Sequence, residues 1–437
     1  MKALIKKYDR SGPRYTSYPP VPFWKKAPTQ EEWLGEIRRK LAVDPRLDLY
    51  LHVPFCEQLC YYCGCHRTIT KDRSKGDTYA DLLLKEWEIY QCILGRDFAI
   101  NSVHFGGGTP TFLTPEALRK ILTRLSPQLT YDFTGAVEVD PRTCTREHLE
   151  LLRSFGFSRI SLGIQDFHPD VQAKINRSQS FPLVEGLVRK LRELGFKGLN
   201  FDLIYGLPAQ TKASVKKTIE LVQSLSPDTV AFYSYAHLPD RIPNQRLIKE
   251  MDLPSPEEKL ELYLLGQDLL ARAGYVHVGM DHFARPDSFL SKEITRSFMG
   301  YTDKKSELLL GLGASAIGQS SNMFVQNEKD LSRYEEQLKA GQLPLCHGHI
   351  LGPEEKEVSR FLQDLFCQGE ITFPPSFGES FDDEAKLIEL ERDGLIVWKD
   401  RRRLIVTPLG KNFLRNIAMA IDPLLKESTP VRFSRTI

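Results

Sequence analysis

The chain has 437 residues, of which 41% are hydrophobic, 27% charged and 10% aromatic. That is the balance of a globular protein with room for one large domain and one or two smaller ones. Lys and Arg number 59 against 57 Asp and Glu, a net charge of +2, which excludes a global electrostatic pull toward nucleic acid or anionic membrane. No apolar run approaches the roughly 20 residues that a membrane-spanning helix needs.

The opening Met1-Lys2-Ala3-Leu4-Ile5-Lys6-Lys7 lacks the apolar core and small-residue cleavage site of a signal peptide. A reducing, cytoplasmic location is therefore expected, where clustered cysteines act as metal or redox ligands. Residues 1–46 are expected to form an irregular arm with one helix from about Gln30 to Leu41. Prolines and glycine in Ser11-Gly12-Pro13-Arg14-Tyr15-Thr16-Ser17-Tyr18-Pro19-Pro20 argue against regular structure, and pattern alone reads Arg14, Tyr15 and Tyr18 as surface decoration.

From Leu47 to about Ala236, short apolar runs alternate with amphipathic stretches. Strands are predicted over Leu49–Val53, Ser102–Phe105, Gly135–Val139, Arg159–Gly163, Leu199–Ile204 and Thr229–Tyr235. Helices are predicted near Thr78–Leu94, Pro115–Leu125, Arg146–Phe155, Pro169–Ile175, Leu183–Leu194 and Ala213–Leu225. This rhythm predicts an α/β fold with a parallel sheet covered by helices, either open and doubly wound or an incomplete barrel. The predicted strands end beside His52, Gly106 to Pro110, Glu138 and Asp140, Gln165 and Asp166, Asp202, and Ala236 and His237. Ligands of parallel α/β folds sit at those carboxyl ends, so the series points to one active-site mouth. Glu138 and Asp202 suit either a cap or ion-pair role, or acceptance from ribose hydroxyls or an ammonium group.

Pro239 to Pro256 reads as a proline-punctuated connector, Ser255 to Ala273 as a helix and Tyr275–Met280 as a strand. A run of small residues, Gly311 to Gly318, follows. Beyond about Gly352 the texture is helical, with a hairpin over Leu395 to Thr407 that resembles a winged-helix module. Without a basic recognition helix, a structural or substrate-covering role fits it better than nucleic-acid binding.

The most informative stretch is Cys56-Glu57-Gln58-Leu59-Cys60-Tyr61-Tyr62-Cys63-Gly64-Cys65, which holds four of the eight cysteines. It is too short for a disulfide framework, and grouped thiolates suit zinc, copper(I) or an iron–sulfur cluster. A structural zinc site wants four closed ligands, often as two separated pairs, and no second Cys-x2-Cys follows. His66 completes a set only on paper. Three thiolates on a [4Fe–4S] cluster leave one iron open to a small molecule. Gly106-Gly107-Gly108-Thr109-Pro110 matches neither a dinucleotide fingerprint nor a phosphate loop, but lets an amine or carboxylate come close to the backbone. Cys92, Cys144, Cys346 and Cys367 are scattered and read as plain thiols.

The spacing C-x3-C-x2-C, with an aromatic before the third cysteine, resembles the radical S-adenosylmethionine signature. Its extension to Cys65 resembles the oxygen-independent coproporphyrinogen III oxidases (dehydrogenases). The resemblance runs nearly end to end. It includes Ser11 to Pro19, Phe105 to Thr111, Glu138 to Arg142, Gly163 to Phe167, Asp202 to Pro208, Tyr235 to Pro239, Gly279 to Pro286 and Phe433 to Arg435. It implies an incomplete (β/α)6 TIM-type barrel with extension over 47–350, a lid over 1–46 carrying Arg14, Tyr15 and Tyr18, and a mainly helical domain over 351–437.

The resemblance also implies that Cys56, Cys60 and Cys63 ligate a [4Fe–4S] cluster. Cys65 is needed for activity without being a ligand. Of two S-adenosylmethionine molecules, the cluster-bound one meets Tyr50, Gly107, Glu138 and Ile317. The second meets Tyr62, Gly108, Thr109, Gln165, Arg177, Asp202 and Ala236. Tyr62 stands where close relatives often have Phe. The implied reaction converts two propionates of coproporphyrinogen III to vinyl groups, giving protoporphyrinogen IX for haem synthesis, in a monomer served by an unidentified electron donor and acceptor. The rival readings are a haem chaperone that shares the radical signature, against which Cys65 and the long arm count, a haem-degrading relative, and a nucleic-acid-modifying radical protein.

Overall fold

The computed structural model describes residues 2–25, 27–95, 97–303, 307–375, 384–425 and 433–436. Its centre is a run of six strands: β1 (Arg46–Val53), β2 (Ala99–Gly107), β3 (Leu129–Val139), β4 (Phe157–Gln165), β5 (Gly198–Tyr205) and β6 (Thr229–Ser234). Each lies parallel to the next in chain order. Helices Ser74–Leu94, Pro115–Leu125, Arg146–Ser154, Phe181–Glu193 and Lys212–Leu225 make the crossovers, and Pro256–Arg272 follows β6. Local sequence explains the Pro115–Leu125 helix well. Thr114 caps it by accepting from the Ala117 amide at 3.2 Å, proline occupies the first turn, and Leu118, Ile121, Leu122 and Leu125 bury one face.

The predicted strands are all present, five of the six in the barrel within longer segments, while Thr229–Ser234 and Val276–Val278 are shorter than expected, and the fold is the expected partial TIM-type barrel. Its sheet does not close, since the two end strands are Leu345–Ile350 and Val276–Val278. Beyond the six units, Leu308–Leu312 pairs in parallel with the outer edge of β1. Ile317–Ser320, Met323–Asn327 and Leu345–Ile350 then add antiparallel strands. None of these four was expected. Leu308–Leu312 is buried on both faces, so it shows no polar alternation, and glycines break its apolar run.

The arm departs from its sequence reading. Lys2–Tyr8 is helical, and Tyr15 and Tyr18 are buried rather than decorative. Both hydroxyls donate to the Asp422 carboxylate at 2.9 Å. Ser11 bridges to Arg435, and the Arg415 guanidinium donates to the carbonyls of Pro13 at 3.0 Å and Arg435 at 2.9 Å. Arg14 donates to the Ser234 carbonyl at the end of β6. The arm is thus held between the barrel and the C-terminal residues. A three-stranded antiparallel sheet of Glu370–Thr372, Arg403–Val406 and Ile396–Trp398 packs with helices there.

One buried network braces the helix that follows the cysteine loop. Glu86, fully buried on Ser74–Leu94, accepts from Tyr334 Oη at 2.5 Å, Gly313 N at 2.7 Å and Asn327 Nδ2 at 2.7 Å. Burial pushes its carboxyl up from the ordinary 4.5 to about 7, against the pull of those donors. The folded protein therefore holds this proton where the unfolded chain has released it, and stability falls as pH rises from 4.5 to about 7. Glu86→Gln sets an amide N–H2 against one of three donors. It should destabilise the fold by about 1–3 kcal/mol and remove that part of the pH dependence. Urea denaturation at pH 5 and pH 8 checks both.

Candidate cluster and cofactor site

The cysteine loop leaves the carboxyl end of β1 and is pinned at its base. Phe55–Cys56 pairs with Thr68–Ile69, and the Thr70 amide donates to the Cys56 carbonyl at 2.9 Å. Cys60 is buried, Cys56 and Cys63 are half-buried, and Cys65 is exposed. All four line one cavity of about 250 Å³. The same wall carries Tyr62 from the loop, Gly107, Gly108 and Thr109 from the end of β2, and Glu138 from β3. Gln165, Arg177 and Asp202 also line it. Of the residues implicated by sequence, Tyr50, Ala236 and Ile317 are not on this wall. Tyr50 lies behind Gly106, the Ala236 carbonyl accepts from Gln245, and the Ile317 side chain packs toward Trp24, Phe324 and Leu351.

The glycine run is shaped by its neighbours. A Cβ on Gly107 would lie 2.6 Å from the His52 ring, and the backbone there has φ of 108°. A Cβ on Gly108 would lie 2.8 Å from the Phe55 carbonyl. Both positions need glycine for backbone to approach the loop. His52 accordingly sits under the strand end. It contacts the Tyr50 hydroxyl at 3.0 Å and the His66 carbonyl at 3.1 Å, and burial holds its imidazole down at about 4.

Charges around the cavity are organised by Arg177, which is 6% exposed. It donates to the Gly163 carbonyl at 2.7 Å, to Asp140 at 3.1 Å and to Cys60 Sγ at 3.6 Å. Arg142 reaches Cys60 Sγ at 3.8 Å and also binds Asp140. Burial raises the Asp140 carboxyl, but the Arg177 and Arg142 guanidiniums outweigh it and hold the group at about 2. Asp140 thus keeps both cations in place beside the Cys60 sulfur. Cys63 is brought down to about 6 by a hydrogen bond from Cys65, whose own thiol is pushed well above its usual range, chiefly by that bond.

The donor set fits an iron–sulfur cluster. Among the described residues no group of three or more His, Cys, Asp or Glu is placed to hold one metal ion. A cluster asks for less convergence, because each of three irons takes one thiolate. Guanidinium donors at Cys60 also suit a cluster-bound sulfur.

Opposite the loop, Glu138 accepts from the Gly107 amide at 3.2 Å and lies 3.2 Å from His104 Nε2. Asp202 accepts from Ser161 at 2.8 Å and from Asn200 at 2.9 Å, and burial pushes its carboxyl up to about 6. Gln165 has φ of 65°, a conformation that favours glycine, where the β4–β5 register shifts. A second cavity of about 310 Å³ fills the barrel interior and meets the first at Glu138, Ser161 and Asp202.

Sequence reading missed the residues that hold the loop from outside. Asn244 and Gln245, in the short helix Pro243–Leu247, and Asn176 donate to loop carbonyls. Their only trace in sequence is two amides inside a proline-punctuated connector and one after a predicted helix.

Residues 50–222 match the model of the radical SAM superfamily. The oxygen-independent coproporphyrinogen III oxidase of Pseudomonas aeruginosa is 39% identical over 451 aligned positions, covering 99% of this chain and 98% of the relative. The protein of the same name from Escherichia coli is 37% identical, covering 100% of this chain and 98% of the relative. A solved structure of coproporphyrinogen III oxidase from Escherichia coli, described as a radical SAM enzyme, superimposes with a TM-score of 0.90. It is 35% identical and covers 97% of this chain and 99% of that one. Among the described residues no helix is long and apolar enough to cross a membrane.

Proposed function

This chain belongs to the family of oxygen-independent coproporphyrinogen III oxidases, and from that premise we propose how its residues divide the work. The enzyme is a radical SAM oxidoreductase that converts two propionate side chains of coproporphyrinogen III to vinyl groups, giving protoporphyrinogen IX in haem biosynthesis. When bound, a [4Fe–4S] cluster and S-adenosylmethionine would supply the radical chemistry that oxidative decarboxylation of each propionate requires.

The observation that carries this reading is the shared cavity, where the loop cysteines meet residues from the ends of β2, β3, β4 and β5. Cys56, Cys60 and Cys63 hold the cluster, with Arg142 and Arg177 donating toward Cys60. Gly107 and Glu138, on the cavity wall, would bind the cluster-bound S-adenosylmethionine, with Tyr50 and Ile317 contributing from beyond that wall. Glu138, already engaged with the Gly107 amide, offers a carboxylate to its ammonium group. Tyr62, Gly108, Thr109, Gln165, Arg177, Asp202 and Ala236 bind a second molecule. Ser161 and Asn200 orient Asp202, which accepts ribose hydroxyls. The barrel-interior cavity admits the reacting side chain, residues 1–46 close over the mouth, 47–350 form the barrel with its extension, and 351–437 cover it. These covers exclude water from the reacting centre. Cys65 lines the loop cavity without being a ligand and is the residue needed for turnover.

The test is turnover. Protein reconstituted anaerobically with iron, sulfide, reductant and S-adenosylmethionine is expected to turn coproporphyrinogen III into protoporphyrinogen IX, with both vinyl groups seen by mass spectrometry. Cleavage of S-adenosylmethionine with an intact porphyrinogen would refute the substrate assignment and leave the radical chemistry standing.

A further inference from the structure

The carbonyls of the cysteine loop are tied down in succession by side-chain amides. Asn176 Nδ2 donates to the Leu59 carbonyl at 2.8 Å. Asn244 Nδ2 serves the carbonyls of Cys60 at 3.3 Å, Tyr61 at 2.8 Å and Cys63 at 3.1 Å. Gln245 Nε2 takes the Tyr62 carbonyl at 3.0 Å and that of Ala236 at 3.0 Å. Gln245 is 1% exposed, and its Oε1 accepts from the Leu238 amide at 2.5 Å. Its amide orientation is therefore set by a donor on one side and two carbonyls on the other.

The peptides of this loop are trans, so each N–H points away from the carbonyl of the same peptide unit. Fixing the Tyr61 and Cys63 carbonyls on Asn244 turns the Tyr62 and Gly64 amides to the opposite side. Of the four amides from Tyr61 to Gly64, two have backbone acceptors: Tyr61 N donates to the Ile175 carbonyl at 3.0 Å and Cys63 N to the Cys60 carbonyl at 3.3 Å. Among the described residues neither Tyr62 N nor Gly64 N makes such a bond.

We propose that Asn244, by aiming the Tyr62 and Gly64 amides at the sulfurs of the bound cluster, and Gln245, by keeping the Tyr62 carbonyl turned away from them, are positioning residues that raise its reduction potential. The inference rests on the cluster reading above. Reduction adds one negative charge, and N–H donors stabilise the more negative state. Released carbonyls could turn toward the sulfurs and do the opposite. The clamp also links the loop to residues 236–238 beyond β6, where Ala236 is assigned to cofactor.

The experiment compares wild type, Asn244→Ala and Gln245→Met, each reconstituted and reductively titrated with EPR detection beside iron analysis. At a fixed poise, Asn244→Ala should show a reduced-to-oxidised ratio about tenfold below wild type, ~59 mV for one electron. Gln245→Met, which frees one loop carbonyl, should show a smaller fall. If Asn244→Ala holds no cluster, Gln245→Met decides by the same titration. Full clusters at the wild-type potential overturn the inference alone. Loss of the cluster in both variants also overturns it, leaving a structural clamp. A wild type that takes up no cluster overturns the function reading and this inference with it.

Discussion

Cys60→Ala is expected to give a folded protein with no cluster and no porphyrinogen turnover. Cys60 is the buried member of the loop set, and the two guanidiniums that reach its sulfur are held by Asp140. Alanine removes the proposed ligand and leaves that cationic setting in place. The loop carbonyls stay on Asn176, Asn244 and Gln245, so the backbone keeps its course. The lost sulfur should cost on the order of 1 kcal/mol of fold stability, a small shift beside the loss of bound iron. Iron and sulfide analysis, read with circular dichroism, separates the two. Cys92→Ala, at an exposed helix position, serves as the control and should load normally. A Cys60→Ala protein that bound a full cluster would remove Cys60 from the ligand set.

Cys65→Ser is expected to do the reverse, keeping the cluster and losing turnover. Cys65 faces the same cavity as the three proposed ligands, yet it lies past the carbonyls that Asn244 and Gln245 hold. Its own carbonyl accepts from Arg67 at 2.7 Å, a contact that serine preserves. The substitution changes a sulfur to an oxygen and little else. Iron content and the spectrum of the reduced cluster should match wild type, while vinyl formation falls to background. Cluster loss on this change would show that the division between three ligands and one active thiol is wrong.

How much of this site could be read in advance depended on distance along the chain. The proposed ligand set is local, three cysteines within eight positions, and its spacing speaks without the fold. Strand-end residues were legible one level up, because periodicity places strands and a parallel sheet brings their carboxyl ends together. Arg142 shows the limit. It stood in a recognised stretch, but its contact with Cys60 Sγ spans 82 positions and has no periodic trace.

The arm and the outer strands were missed for two different reasons. Tyr15 and Tyr18 read as ornament because their acceptor, Asp422, lies some four hundred residues on. Leu308–Leu312 escaped notice because a strand buried on both faces carries no alternation. By itself, then, the sequence determined the βα rhythm, the family and the cysteine spacing on which the proposed cluster rests, all written in short-range spacing or in matching stretches. Only the tertiary structure decided which groups stand around the sulfurs, what holds the loop's peptides and where the arm lies. Those depend on contacts between distant segments, whose partners are chosen by packing and by the need to satisfy buried polar groups.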